Sequence, residues 1–222
     1  MKEQTMLWIT WVLQLSMLVL ALALLIMGEY TWVPASLVSF FITLLPAILK
    51  RSARVVLPVW LVLWIVVALF LHSIGGAFGF YDSLHFWDHI THAISASLRA
   101  ALGFVLVLTI DFFFESIRLP RQFVVFFVLM FGMAVGVFWE VMEFTQDQLV
   151  GTNLQYDLDD TMWDLFFDGM ASLVVAIFSF FYLKNKSGEE FVRELGMARA
   201  KKRINKALEK GRVDEGRSAS RL

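Results

Sequence analysis

An all-α integral membrane fold is what the sequence predicts: a bundle of six transmembrane helices, both termini cytoplasmic, followed by a short amphipathic helical tail. Three observations predict it. Hydrophobic residues make up 59% of the 222 and charged ones 18%, too little polar surface to cover a soluble fold of this size. Six apolar stretches, at about 7–27, 32–49, 56–78, 87–110, 122–145 and 161–183, approach or exceed the roughly 20 residues that a hydrocarbon core about 30 Å thick demands. The basic residues of the connections alternate in side, which fixes an orientation.

The first stretch follows a single Lys2 and carries no Ala-x-Ala cleavage pattern before the next, so it reads as a retained helix rather than a signal peptide. Lys50, Arg51 and Arg54 separate the second and third stretches, Arg118 and Arg121 the fourth and fifth, and Lys184 and Lys186 follow the sixth. The connections around 28–31, 79–86 and 146–160 contain neither Lys nor Arg. By the positive-inside tendency the termini are cytoplasmic, in a plasma or inner membrane. Counts of five or seven spans would break this alternation.

Acids sort to the opposite side. Glu29, Asp82, Asp88, Glu140, Glu143, Asp147, Asp157, Asp159, Asp160, Asp164 and Asp168 fall on the outer side or in the outer half of a span, as do all four histidines, His72, His85, His89 and His92. Asp82, His85, Asp147, Asp157 and Asp159 read as solvated loop residues. The others need a different account, because charge inside a membrane is costly and usually faces a partner.

Taking about 100° of rotation per residue and placing His85 at zero, Asp88, His89, His92 and Arg99 share one face of the fourth span. Arg99 lies about 12 residues inside it, roughly 18 Å deep at 1.5 Å per residue, so it is expected to meet Asp168, Glu140 or Glu143. In the fifth span Gly132, Gly136, Glu140, Glu143 and Asp147 follow one stripe, where the glycines permit close helix approach and carry the carboxylates to an interface. Asp160, Asp164 and Asp168 step by four into the sixth span. The many aromatic residues, among them Trp60, Trp64, Trp87, Trp139 and Trp163, read as interfacial belt or packing.

The two domains expected are a membrane domain over 1–184 and a basic tail over 185–222. After Leu183 the chain holds twelve Lys or Arg against six Asp or Glu. Phe191, Leu195, Ile204 and Leu208 fall near helical spacing, as for a helix resting on the anionic inner leaflet. The terminal GRSASRL reads as disordered. The partners expected are membrane lipids and further copies of the chain, with no nucleic acid.

The stretches WDHITH, FWEVMEF and DDTMWDLFFDGMAS resemble three blocks of the YjdF-type bacterial inner-membrane proteins: Tyr-Asp-x-x-x-His, a glutamate pair and Asp-Thr-x-x-Asp. More distantly they are similar to the VanZ-like membrane proteins, which carry an Asp and a His four apart, then a glutamate, then spaced aspartates. The resemblance spans about 81–183 and implies roles for Asp88, His92, Glu140, Glu143, Asp160 and Asp164. Trp87 stands where the first family has Tyr, His89 is not required by the motif, and Asp168 matches a polar position of the VanZ-like pattern. It points to the cell envelope and leaves the reaction open.

Three functions fit. The first is a metal-dependent hydrolase or transferase acting on an envelope lipid or lipid-linked substrate. In it His92, Glu140, Glu143, Asp160, Asp164, His89 and Asp168 are the candidate ligands, Asp88 orients His92 or acts as base, and Arg99 holds an anionic group. Carboxylate oxygens with imidazole suit Zn, Mn, Fe or Mg, and the chain has no cysteine to supply a thiolate. The second is a proton- or cation-coupled transporter or channel with Asp160, Asp164 and Asp168 as its relay. The third is a non-catalytic envelope protein with a structural polar network. Neither a nucleotide-binding nor a haem motif is present to suggest another cofactor.

Overall fold

A computed structural model describes residues 2–52, 55–84, 86–114, 117, 119–198 and 200–202. His85, Arg54, Arg118, Ile204, Leu208 and the GRSASRL end lie outside the described residues.

The described residues are helical, in the order α1 (Glu3–Met27), α2 (Val33–Ser52), α3 (Val59–Ala77), α4 (Phe80–Ser83), α5 (Trp87–Phe113), α6 (Arg121–Val150), α7 (Leu158–Asn185) and α8 (Gly188–Glu194). Six of them, α1, α2, α3, α5, α6 and α7, are long and apolar enough to cross a membrane. Helices suit that setting because each satisfies its own backbone hydrogen bonds where no water can. Their outward faces carry large apolar side chains such as Trp8, Leu15, Phe41, Phe138 and Phe178, as lipid contact requires.

Helices α1, α2 and α3 pack mutually, α5, α6 and α7 pack mutually, and α3 against α5 joins the two groups. Pro46 lies inside α2 and removes one backbone donor there. Nearby, Gln14 Nε2 of α1 donates to the Thr43 carbonyl at 3.0 Å. The α3–α5 seam is apolar, built from Leu61, Ile65, Ala68, Leu98 and Ala101.

The second group is divided along its length. At the end carrying the basic connections, Phe104, Val107, Leu108, Val124, Val128, Ala176 and Leu183 form a buried apolar core. Towards the other end, the same three helices bury His92, Glu140, Asp164 and Asp168. These are called below the basic end and the acidic end.

The start of the tail departs from the expected helix on the leaflet surface. Phe191, Val192 and Leu195 are buried and complete the apolar core of α5–α7, so their apolar face is taken by protein. Hydrogen bonds tie the segment down: Val56 N–H donates to the Leu195 carbonyl at 3.0 Å, and Lys201 Nζ to the Phe112 carbonyl at 2.7 Å. A face that seals the mouth of a helix bundle has the same amphipathic signature as one lying on lipid, so periodicity does not separate the two.

Candidate functional site

Three helices deliver the polar groups of the acidic end. From α5 come Asp88, His89, His92 and Arg99, from α6 Glu140 and Glu143, and from α7 Asp160, Asp164 and Asp168. Two glycines of α6 set how closely these helices approach. A Cβ on Gly136 would run into the Asp168 carboxylate, and one on Gly132 into Ser172, so both glycines face α7 as the stripe predicts.

His92 is the hub. Its Nε2 lies 3.7 Å from Asp88 Oδ1 and 3.8 Å from Glu140 Oε1, and its Nδ1 lies 3.4 Å from Asp168 Oδ1. Asp168 is fully buried and its other oxygen accepts from Arg99 Nη2 at 2.6 Å. Of the three acids expected as partners for Arg99, Asp168 is the one that pairs with it. Guanidinium, carboxylate and imidazole thus form a chain running from the middle of the bundle towards the acidic end.

Asp164, 1% exposed, stands 3.3 Å from His89 Nδ1. The His89 ring stacks on Phe167 with centroids 4.7 Å apart, so it flanks the hub rather than joining it. Glu143 accepts from Trp139 Nε1 at 2.8 Å, one turn away on the same helix. Asp160 sits at the rim, where its carboxylate accepts from Tyr156 N–H at 3.4 Å.

Two groups of three residues could hold a cation, each offering donor atoms within 4.8 Å of one another: Asp88, His92 and Asp164, and His92, Glu140 and Glu143. An ion with bonds of about 2.1 Å keeps its donors roughly 3–3.5 Å apart, so binding needs only modest side-chain movement. The donor chemistry fits a divalent ion, since Glu140, a member of the second group, has its Oε1 buried without a hydrogen-bond partner. Such orphaned atoms are expensive in a protein interior.

Several contacts were not legible as site features. Trp32, His72, Tyr81 and Trp139 form a ring cluster beside Glu143: Trp32 stacks on Tyr81 at 5.9 Å, and His72 meets Trp139 edge-on at 5.6 Å. His72 Nδ1 lies 2.9 Å from Tyr81 Oη, and burial raises the Tyr81 pKa so that it stays a neutral phenol. Gly75 and Gly76 make room for these rings, since a Cβ would strike Trp87 at the first and Trp32 at the second.

Two acids expected to be solvated also hold local structure, Asp157 while exposed. Asp147 accepts from Thr152 Oγ1 at 2.7 Å and from the N–H groups of Leu154 and Gln155 at 2.8 and 2.9 Å, folding the α6–α7 connection back on itself. Asp157 caps α7 by accepting from Asp160 N–H at 2.9 Å. Across the same mouth Tyr156 Oη donates to Asp82 at 2.6 Å. Burial and then the Asp82 carboxylate raise its pKa, which keeps the donor protonated.

Fold and site together define a multi-pass membrane protein with a buried imidazole and carboxylate centre at one end of its bundle. The chain belongs to the family described as "Predicted membrane protein (DUF2238)", whose model matches residues 9–185. That match takes in most of α1 and the whole of the other five long helices, where the motif resemblance reached only the last three. An uncharacterized protein of Thermotoga maritima is 30% identical over 150 residues, covering 67% of this chain and 74% of that protein. No solved structure matches.

Proposed function

We infer that the protein is a membrane-embedded, metal-dependent hydrolase or transferase whose substrate is an envelope lipid or lipid-linked molecule. The observation that carries this reading is the convergence of acids from three helices on His92, in two donor groups that share its imidazole. Five carboxylates, Asp88, Glu140, Glu143, Asp164 and Asp168, face one guanidinium and two imidazoles. With the His92 ring neutral, as a ligating imidazole is, the carboxylates leave a negative excess that a divalent cation would offset in part. Burying that excess without protons or a cation would cost several kcal/mol per charge.

An oxygen-rich donor set with one imidazole suits Zn, Mn, Fe or Mg. When bound, such an ion supplies Lewis acidity towards a carbonyl or phosphoryl oxygen and lowers the pKa of water. The remaining roles belong to the chain. His92 Nε2, Glu140, Glu143 and Asp164 are the ligands, and Asp88, beside the same nitrogen, is the base. Asp168 takes the opposite face of His92 and fixes its ring, as a carboxylate behind a ligating histidine does. Arg99 holds Asp168 and so orients the histidine indirectly, in place of the substrate contact expected from sequence. His89 positions Asp164, and Asp160 stands at the entrance.

Exposed apolar residues beside the site, among them Phe86, Trp163 and Phe166, suit a substrate that arrives from the bilayer. The likeness of the motif blocks to VanZ-like proteins supports an envelope substrate. The distribution of Lys and Arg supports an outward-facing acidic end with both termini cytoplasmic.

Metal content tests the first part. Mass spectrometry of detergent-purified protein is expected to find at least about one divalent ion per chain, lost in a folded Glu140→Gln, Asp164→Asn double variant. Metal-free wild type would instead favour the proton- or cation-coupled transporter, for which the ladder from Asp160 at the rim to buried Asp164 and Asp168 is the supporting observation, and liposome flux the assay. Failure of both would leave the network a structural one in a non-catalytic envelope protein.

The orientation has its own test, because the chain has no cysteine. A Tyr30→Cys or Thr152→Cys variant in intact cells should react with a membrane-impermeant maleimide, and Ser187→Cys only after lysis. The reverse pattern would turn the protein over.

A further inference from the structure

The basic end holds a cavity of about 360 Å³, opposite the carboxylate centre and separated from it by the apolar core. Its lining has two chemistries. Leu108, Val124 and Leu183 supply an apolar part, while Arg121, Lys184 and Lys186 supply three cations. Among the described residues Asp111 is the one acid of the lining, and its Oδ1 already accepts the Leu119 N–H at 2.8 Å.

The start of α8 makes a further wall. Gly188 permits this, since a Cβ there would stand 2.8 Å from Leu108 Cδ2. Arg121 is the first residue of the 30-residue α6, so the positive end of that helix lies at the same mouth. Lys184 and Lys186 lie at the end of α7, whose partial negative charge of about half an electron offsets them only in part. Among the described residues no carboxylate is ion-paired with Arg121, Lys184 or Lys186. The cavity therefore has a net positive rim over an apolar floor, within the usual size range of small-molecule sites.

We propose that this cavity binds a phosphate-bearing anion, with Arg121, Lys184 and Lys186 around the phosphate and Leu108, Val124 and Leu183 against any apolar portion. The phosphate can come from a phospholipid headgroup or from solution. Because the site shares no residue with the carboxylate centre, it stands whether or not that centre holds a metal.

The test is thermal unfolding of the full chain in neutral detergent micelles, followed by tryptophan fluorescence at constant ionic strength. The two probes are inorganic phosphate and short-chain phosphatidylglycerol. A ligand bound only by the native state raises Tm in a saturable way. A rise of several degrees that is lost in an Arg121→Gln, Lys184→Gln, Lys186→Gln variant, and kept in a Lys50→Gln, Arg51→Gln variant of the same end, supports the site. Saturation by phosphate alone assigns the free anion as sufficient, and a response confined to phosphatidylglycerol assigns the lipid headgroup. Should the triple variant fold poorly, the exposed Lys186→Gln change is expected to weaken the response several-fold. No saturable rise with either probe, or an equal rise when the three cations are gone, overturns the proposal.

Discussion

Replacing Arg99 by methionine is expected to destabilise the protein by about 3–5 kcal/mol, the usual cost of removing one partner from a buried ion pair. Arg99 Nη2 donates to Asp168 Oδ2 at 2.6 Å, and Asp168 has no exposed surface. Without the guanidinium, Asp168 must stay charged in a bundle surrounded by lipid or take up a proton, and protonation brings the loss towards the lower figure. Removing both charges should cost much less. An Arg99→Met, Asp168→Leu double variant is therefore expected nearer the wild type than Arg99→Met, because neither charge is left behind. Unfolding titrations in mixed micelles on all four members of the cycle give the coupling directly. Equal losses in the single Arg99 variant and the double would mean that the pair contributes little and that Arg99 acts through packing of its stem.

Depth in the membrane carried much of what the sequence could say about this pair. Arg99 lies about 12 residues, roughly 18 Å, inside its span, and Asp168, Glu140 and Glu143 all lie in the outer halves of theirs, so depth alone left three candidate partners. Rotation about the helix axes decides between them, and that depends on how α5, α6 and α7 pack. The six long helices were legible because a membrane span depends on length and composition, not on neighbours. The convergence of Asp88, His92 and Arg99 was legible because one helix holds all three.

What was not legible came from contacts that leave the helix on which a residue sits. Trp139 read as a packing residue, yet its indole N–H serves Glu143 and its ring joins Trp32, His72 and Tyr81 only because α3, α4 and α6 meet there. Asp147 gave no local sign of folding back the connection after it, since its partners Thr152, Leu154 and Gln155 lie beyond the end of α6. Phe191 and Leu195 carried the right periodicity and the wrong neighbour. Chemistry-bearing residues of a single helix can thus be grouped by arithmetic, whereas their mates on other helices require the packed bundle.

The glycines of α6 give the second large effect, and here two physical arguments predict opposite signs. In a helix interior, Gly→Ala normally gains about 1 kcal/mol from backbone propensity. At Gly132 a new Cβ would collide with Ser172, meeting its Cβ at 2.8 Å and Ala100 Cβ at 3.2 Å. Those carbons are fixed to backbone and cannot rotate away, so α6 must separate from α7 and α5. At Gly136 the obstacle is Asp168, whose Cγ would stand 3.0 Å away, and whose carboxylate cannot swing aside without leaving Arg99. Overpacking of this kind costs typically about 1–3 kcal/mol, and both alanine variants are expected to be net destabilised. Gly169 of α7 supplies the contrast, because a Cβ there meets only Met133 Cε at 3.8 Å, so Gly169→Ala should be neutral or stabilising. Thermal unfolding of the three variants side by side separates the arguments. If Gly132→Ala and Gly136→Ala gain stability as Gly169→Ala does, helix propensity governs all three sites and the close approach of α6 to α7 is not what holds Asp168 beside His92.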